Sequence, residues 1–313
     1  MASLIPPGMD LCMLPAAIAP PGETYNFENP ESLAAATAAL DILLLILTYL
    51  FAGARLWQNR HRWRMSDYMT MVSLAIYTGL TGIFMSLHQY NRHQWDVPLC
   101  WFNGHYMKTL YAEILLFGAT QFFSKAAIFL LFRELFGISV TMRRAVWVGI
   151  AASFVVYVSF IPVASYFMAP KMGHTWDALP FEMESGIALQ SWGIAIGAST
   201  VLLDIYIFFL PLPVLSHLNL TRSRRMRLIA VFCTALFGVA ASVLALVYRV
   251  KLFLSSDDNT WGQALIAICN QVENSVAIIV GSGPAFSAFL RAHVMGISDG
   301  SWWTKARSML RST

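Results

Sequence analysis

Residues 34–56 read AAATAALDILLLILTYLFAGARL, a run of small and aliphatic residues whose charged members are Asp41 in the middle and Arg55 near the end. A helix needs about 20 mostly apolar residues to cross the roughly 30 Å hydrocarbon core of a bilayer. The run is therefore predicted to be a membrane-spanning helix, and the rest of the chain contains further runs of this kind.

Six further runs of similar character follow, separated by short polar segments: residues 67–88, 109–132, 145–168, 187–215, 228–254 and 261–290. The composition agrees, because 57% of the 313 residues are hydrophobic and 12% are charged, against roughly 45–50% and 25% in soluble domains. The chain is thus predicted to be all-α, a polytopic membrane protein with a seven-transmembrane helix bundle. A net charge of +4 without a basic block sets aside nucleic-acid binding.

One membrane domain, residues 34–290, accounts for most of the chain. Residues 1–33 contain six prolines and no Lys or Arg, which predicts an irregular external lead-in. Residues 291–313 are too few for a further domain and are predicted to form a short cytoplasmic tail.

The basic residues predict the orientation. Most of the 21 Lys and Arg residues lie in the first, third and fifth connections and in the tail, and Arg55 is counted with the first of these. Cytoplasmic loops retain such cations, so the amino terminus is predicted outside and the carboxyl terminus in the cytoplasm of a plasma membrane or endomembrane. The fifth connection carries a cluster that could meet a cytoplasmic partner: Arg222, Arg224, Arg225 and Arg227.

Six charged residues lie more than three residues from the ends of the predicted spans: Asp41, Glu113, Lys125, Asp204, Arg249 and Glu273. Counted at 1.5 Å per residue, Glu113 and Arg249 lie at similar depth near the outer side. Lys125 and Asp204 lie together deeper, so each pair is close enough in depth to interact. Glu273 lies near mid-depth.

Two interpretations of these residues stay open. They are either interhelical bridges that fix helix register, or part of an outward-opening polar cavity that binds a ligand or carries proton chemistry through Glu113, Arg249 and Glu273. In the cavity interpretation Glu113 and Glu273 are the candidate catalytic acids. The candidate binding residues are Arg249, Lys125, Asp204, Asn270 and Asn274.

The cysteines and histidines predict little chemistry. Cys12 and Cys100 lie on the predicted outer side, where they either form one disulfide or stay free. The histidines show no recognisable ligand spacing, so we expect no metal site, and no cofactor is indicated.

Several motifs together resemble a known family. The third span reads KAAIFLLFRELF from Lys125, and the fifth reads DIYIFFLPLP from Asp204. Phe232, Gly238 and Arg249 follow in the sixth span, and Glu273 with AII from Ala277 follows in the seventh. This set resembles the fungal rhodopsin-domain family of seven-transmembrane proteins, which includes satratoxin-cluster membrane proteins and Pth-eleven-type receptor candidates.

The resemblance implies that Lys125, Asp204, Arg249 and Glu273 occupy the family's recurrent charged positions, without a known chemistry. Residues 261–290 contain no lysine, so the Schiff-base anchor of a retinal protein is missing and no retinal is expected. Two functions are favoured, and transport stays open as a third although no repeated half is visible. One is a membrane protein of fungal secondary metabolism that binds or processes a lipophilic polyketide- or terpenoid-type intermediate within a biosynthetic gene cluster. The other is a receptor-like sensor coupled to a cytoplasmic transducer.

Overall fold

The computed structural model describes residues 10–136, 139–177, 186–213, 222–254 and 258–290, with side chains in the fourth of these ranges from residue 232 onward. In that part of the chain the α-helices are α1 Ala34–Asn59, α2 Met65–Leu87, α3 Gly104–Phe136, α4 Val140–Val158, α5 Phe160–Met168, α6 Gly186–Phe209, α7 Arg222–Leu254 and α8 Asn259–Leu290. Seven stretches are long and apolar enough to cross a membrane, because α4 and α5 together form one of them. The predicted all-α bundle of seven spans is confirmed.

The fourth span is interrupted where the sequence predicted a single helix. Ser159 separates α4 from α5. Pro162 has no backbone N–H, so the carbonyl of Val158, four residues earlier, loses its helical donor. Proline is tolerated in the first turn of a helix, where this one lies. The span therefore restarts at Phe160.

The fifth span is shorter than predicted within the described residues. Helix α6 ends at Phe209, whereas the predicted run continued to residue 215, and residues 214–221 lie outside the described part of the chain. Helices usually end at or before the residue that precedes a proline, and Pro211 follows two residues later.

Helix α8 packs against four other helices of the bundle, α1, α2, α3 and α7. Its buried polar residues are Thr260, Asn270, Gln271, Glu273, Asn274, Ser275 and Ser282. Helix α1, by contrast, exposes Ile42, Leu43 and Ile46, as expected of a lipid-facing helix. Hydrocarbon offers no hydrogen bonds, so the polar groups of α8 need partners inside the protein.

We call the end of the bundle that carries residues 10–33 the outer end. There a disulfide joins Cys12 to Cys100 in the segment between α2 and α3. The amide of Ala16 donates to the carbonyl of Val97 at 3.0 Å, and the amide of Leu33 donates to that of Asn91 at 2.8 Å. The amino-terminal segment and the first outer loop thus form one cap.

A histidine connects this cap to α8. The His93 ring is stacked between Trp95 and Trp261, at centroid distances of 4.5 and 4.1 Å. Its Nδ1 lies 2.5 Å from the Asp258 carboxylate, which also accepts from the amide of Gln94. Nearby, partial burial lowers the pKa of the Arg92 guanidinium, with the Asp96 carboxylate acting in the opposite direction.

Arg55 connects three helices at the opposite, inner end. Its guanidinium donates to Asp67 Oδ1 at 2.7 Å, to Ser66 Oγ at 2.7 Å and to the carbonyl of Gly281 at 2.6 Å. Arg55 is 1% exposed and Asp67 is fully buried. Arg55, which was counted with the cations of the first connection, is therefore a buried structural link between α1, α2 and α8.

Candidate functional site

Two adjoining cavities lie in the outer half of the bundle. The first, of about 160 Å³, is bounded by α3, α5, α6, α7 and α8 and is called here the Arg249 cavity. The second, of about 460 Å³, reaches from α3 and α8 to the first outer loop and is called the outer cavity. Both are lined by Glu113, Ile114, Leu189, Gln190, Gln263 and Ala267, so the two cavities adjoin each other at these residues.

The walls of this space are mainly apolar and aromatic. The Arg249 cavity is lined by Phe117, Phe160 and Trp192, and the outer cavity by Phe84, Phe102 and Tyr106, among others. Small-molecule sites commonly combine such walls with a few convergent polar groups. The volume of the outer cavity falls within the roughly 300–1,000 Å³ that is usual for them.

The convergent polar groups here are Glu113, Arg249 and Asn270. Arg249 Nη2 lies 3.4 Å from Asn270 Oδ1, a long hydrogen bond. Arg249 Nε and the Trp192 indole N–H are buried donors without a partner among the described residues. Both residues line the Arg249 cavity, so its wall contains two buried N–H donors that have no protein partner among the described residues.

Two glycines of α6 make room for the Arg249 side chain. A Cβ atom added at Gly193 would lie 3.5 Å from Arg249 Nη1, and one added at Gly197 would lie 3.3 Å from Arg249 Cδ and 3.2 Å from a Leu246 methyl. The small residues thus let α7 approach α6 closely.

A second group of charged residues lies deeper, and none of its members lines either cavity. The Lys125 ammonium of α3 pairs with the Asp204 carboxylate of α6 and lies 3.2 Å from Glu273 Oε1 of α8. Gln121 Nε2 donates to the same Glu273 oxygen at 2.6 Å. We call these four residues, with Tyr157 under the Lys125 ammonium at 5.7 Å from its ring centroid, the Lys125 cluster.

All but one of the predicted site residues lie either at the cavities or in the Lys125 cluster. Glu113, Arg249 and Asn270 line the cavities, although Glu113 and Arg249 form no direct ion pair. Lys125, Asp204 and Glu273 meet in the Lys125 cluster, so the predicted pairing of Lys125 with Asp204 is found and Glu273 lies away from the cavities. Asn274 is buried, and neither atom of its amide has a partner among the described residues.

Two uncharged residues of these sites were missed by the sequence prediction. Gln121 and Trp192 were not predicted, since nothing but their depth within a span separates them from packing residues. The side chains of the predicted inner cluster at Arg222, Arg224, Arg225 and Arg227 lie outside the described residues. Within the described ranges no group of three or more His, Cys, Asp or Glu residues is arranged to hold a metal ion.

Residues 52–292 match the family model of the fungal rhodopsin domain. No curated protein matches the chain. The matched segment includes the end of α1 and all of α2 to α8, and with them both cavities and the Lys125 cluster.

Proposed function

The chain belongs to the fungal rhodopsin-domain family, and from that premise we propose that it binds a lipophilic small molecule bearing a hydroxyl or carbonyl group in the space formed by the Arg249 cavity and the outer cavity. The observation that carries the proposal is a pair of adjoining, mainly apolar cavities whose wall contains two N–H donors without a partner among the described residues. A multi-pass membrane protein of this family reaches such molecules directly from the bilayer, where they partition.

The polar groups favour a particular ligand chemistry. Arg249 and Trp192 offer N–H donors, and Glu113 offers a carboxyl group at the junction of the two cavities. A hydroxyl group can accept from the first two and donate to the third, and a carbonyl group can accept from both donors. A pure hydrocarbon would leave the same donors unsatisfied, which costs about 1–3 kcal/mol for each buried group.

For the biological role we propose binding or processing of a polyketide- or terpenoid-type intermediate of secondary metabolism. Such molecules combine a large apolar body with a few oxygen functions, as the cavity requires. Glu113 is the acid that faces the ligand space, so any proton transfer to a bound intermediate is assigned to it. Glu273 is bonded within the Lys125 cluster and does not face that space.

A receptor is the second candidate, favoured by the position of Arg249 between the ligand space and the Lys125 cluster. Arg249 bonds to Asn270 and lies in the electrostatic field of Glu273, one turn further along α8. Occupation of the cavity would therefore act on the charges that join α3, α6 and α8. A receptor requires that this displacement reach the cytoplasmic end.

Photolabelling tests the binding proposal. Protein in lipid nanodiscs is irradiated with a diazirine analogue of farnesol, a terpenoid alcohol, and the labelled peptides are mapped by mass spectrometry. We expect labels on cavity-lining residues of α3 and α8, suppressed by excess farnesol. The variants R249Q and E113Q should reduce this labelling about tenfold, because a hydrogen bond to a charged group contributes about 1.5–3 kcal/mol.

Matched substitutions outside the cavities serve as controls: R64Q, at an arginine whose side chain is 58% exposed, and E28Q in the exposed outer segment. Both control variants should show the same extent of photolabelling as the unaltered protein. Labels confined to lipid-facing residues such as those of α1, or equal labelling in all four variants, would contradict the proposal.

Gene deletion with metabolite profiling separates the two roles. Accumulation of a late intermediate supports the metabolic role, and turnover of that intermediate by purified protein that is lost in E113Q would assign the proton transfer. An unchanged profile with a lost response to an external compound supports the receptor instead.

A further inference from the structure

Three arginines form a basic patch at the inner end of the bundle, where α3 ends and α4 begins. Arg133 lies in the last turn of α3, and Arg143 and Arg144 lie within the first two turns of α4. All three are exposed, and none of them forms an ion pair with an acidic residue of the described ranges. Glu134, which follows Arg133 in the sequence, pairs instead with Arg64 at 3.4 Å. The part of the chain that the structure describes therefore leaves the charge of the basic patch uncompensated.

An exposed indole joins the two helices within the basic patch. Trp147 of α4 is 52% exposed, and the Arg133 guanidinium of α3 lies 5.4 Å from the centroid of its ring. A cation over an aromatic face is attracted at this distance. Arg143 and Arg144 precede Trp147 by four and three residues, which are the spacings of neighbours on a helix surface. Tryptophan prefers the headgroup layer of a bilayer, so the indole indicates the depth at which the three cations lie.

An exposed apolar face of α4 continues from the basic patch. At 100° per residue, the exposed residues from Arg143 to Val155 fall within about 140° of the helix circumference. They are Arg143, Arg144, Trp147, Val148, Ala151, Phe154 and Val155. Between the first and the last of them the helix rises about 18 Å, slightly more than the roughly 15 Å of half the hydrocarbon core. This face is thus charged at the headgroup layer and apolar through the depth of one leaflet.

We propose that the basic patch and this face of α4 bind an anionic phospholipid whose headgroup carries a phosphate monoester, as phosphoinositides do. Guanidinium groups match phosphate oxygens with paired hydrogen bonds. Three of them suit a headgroup with more than one negative charge, and a phosphate monoester carries about −1.5 to −2 at neutral pH. An acyl chain of the lipid lies along the apolar part of the face, beside Val148 and Phe154.

The arrangement favours a lipid over a soluble partner. The face combines charge at one end with an apolar surface over the rest, so it matches a molecule with a charged head and an apolar chain. An acidic segment of a partner protein would contact the arginines alone. Anionic lipids are concentrated in the cytoplasmic leaflet, to which the predicted orientation assigns this end of the bundle. The site lies at the opposite end from both cavities, so it does not depend on the ligand proposed for them.

Binding measurements with short-chain lipids test this site. Full-length protein in dodecylmaltoside micelles is titrated by microscale thermophoresis with dioctanoyl phosphatidylinositol 4-phosphate, dioctanoyl phosphatidylcholine or soluble inositol 1,4-bisphosphate. The first should bind saturably and about tenfold more tightly than the others, because phosphatidylcholine lacks the net charge and the bisphosphate lacks the chains. R143Q/R144Q should weaken this binding about 30-fold and R133Q about fivefold, since about 1 kcal/mol for each cation near an anionic lipid corresponds to about fivefold in affinity.

The matched control is R60Q/R62Q, which removes two exposed arginines from the connection between α1 and α2 at the same end of the bundle. It should weaken binding less than about threefold, because these charges act only through screened, long-range attraction. An equal loss in the two double variants would overturn the proposal and assign the binding to the general positive charge of the inner end. Equal affinity for the lipid and for inositol 1,4-bisphosphate would also overturn it, in favour of a soluble anion or an acidic protein segment.

Discussion

Replacement of Arg55 by leucine is expected to destabilise the protein strongly. At an effective permittivity of about 20, the 2.7 Å contact with Asp67 corresponds to about 6 kcal/mol of attraction before desolvation is counted. Removal of one member of a buried pair typically costs about 3–5 kcal/mol, because the other charge stays buried. Asp67 retains donors in Asn59 and in the amide of Arg64, each at 3.0 Å. Because these donors still compensate part of the Asp67 charge, we expect R55L to lower the free energy of unfolding by about 3 kcal/mol, the lower end of that range.

A thiol-reactive fluorogenic dye provides the assay. Cys269 is a free, buried cysteine that becomes reactive when the bundle unfolds, and a C233S background removes the exposed free thiol. At about 2–4 °C per kcal/mol, the Tm of R55L should fall by about 6–12 °C.

A double variant tests the reasoning itself. R55L/D67N removes both charges, so it should recover at least about 1.5 kcal/mol of the loss seen in R55L. A Tm change below about 2 °C in R55L, or a double variant less stable than the single one, would refute the assignment of Arg55 as a buried structural link.

Three further predictions concern other parts of the fold. Replacement of Cys12 and Cys100 by serine should lower stability by about 2–4 kcal/mol, measured with the same dye, and should abolish the shift in gel mobility on reduction. G149A should destabilise by about 1–3 kcal/mol, because its new Cβ would lie 2.4 Å from an aromatic ring of α3, whereas G53A, with nothing within 4 Å, should be neutral or slightly stabilising in the same assay. The Asn219 sequon should stay unglycosylated, because the predicted orientation puts it in the cytoplasm, and a glycosidase-sensitive mass that disappears in N219Q would reverse that orientation.

The number of spans followed directly from the sequence because each helix in lipid must satisfy its own backbone. Helix ends were harder to predict. Polar residues from Gly104 onward belong to α3, five residues before the predicted start, because the helix continues into the outer cap. The break at Ser159 arises from Pro162, whose effect depends on which turn of the helix it enters.

The depth of a side chain could be counted from the sequence, but its direction around the helix could not. Lys125 and Asp204 pair as their depths predicted. Asn270 and Glu273 are three residues apart, so they differ by about 60° around α8 and by about 4.5 Å along it. That difference directs Asn270 towards the Arg249 cavity and Glu273 towards the Lys125 cluster.

The position of Arg55 shows another limit of prediction from the sequence. The positive-inside rule assigns a cation to one side of the membrane and says nothing about its burial. Arg55 lies within the last two turns of α1, where its long side chain extends inward to Asp67 instead of towards lipid headgroups.

The Cys12–Cys100 disulfide has a consequence for the route by which the protein matures. Disulfides form and persist in the lumen of the endoplasmic reticulum and outside the cell, and cytosolic reductants prevent them. The cap can therefore complete its folding only if its end of the bundle is delivered to an oxidising compartment. This redox requirement favours an external amino-terminal segment on grounds unrelated to the count of arginines. Whether Cys12 and Cys100 are oxidised in the purified protein therefore reports the side of the membrane on which the cap folded.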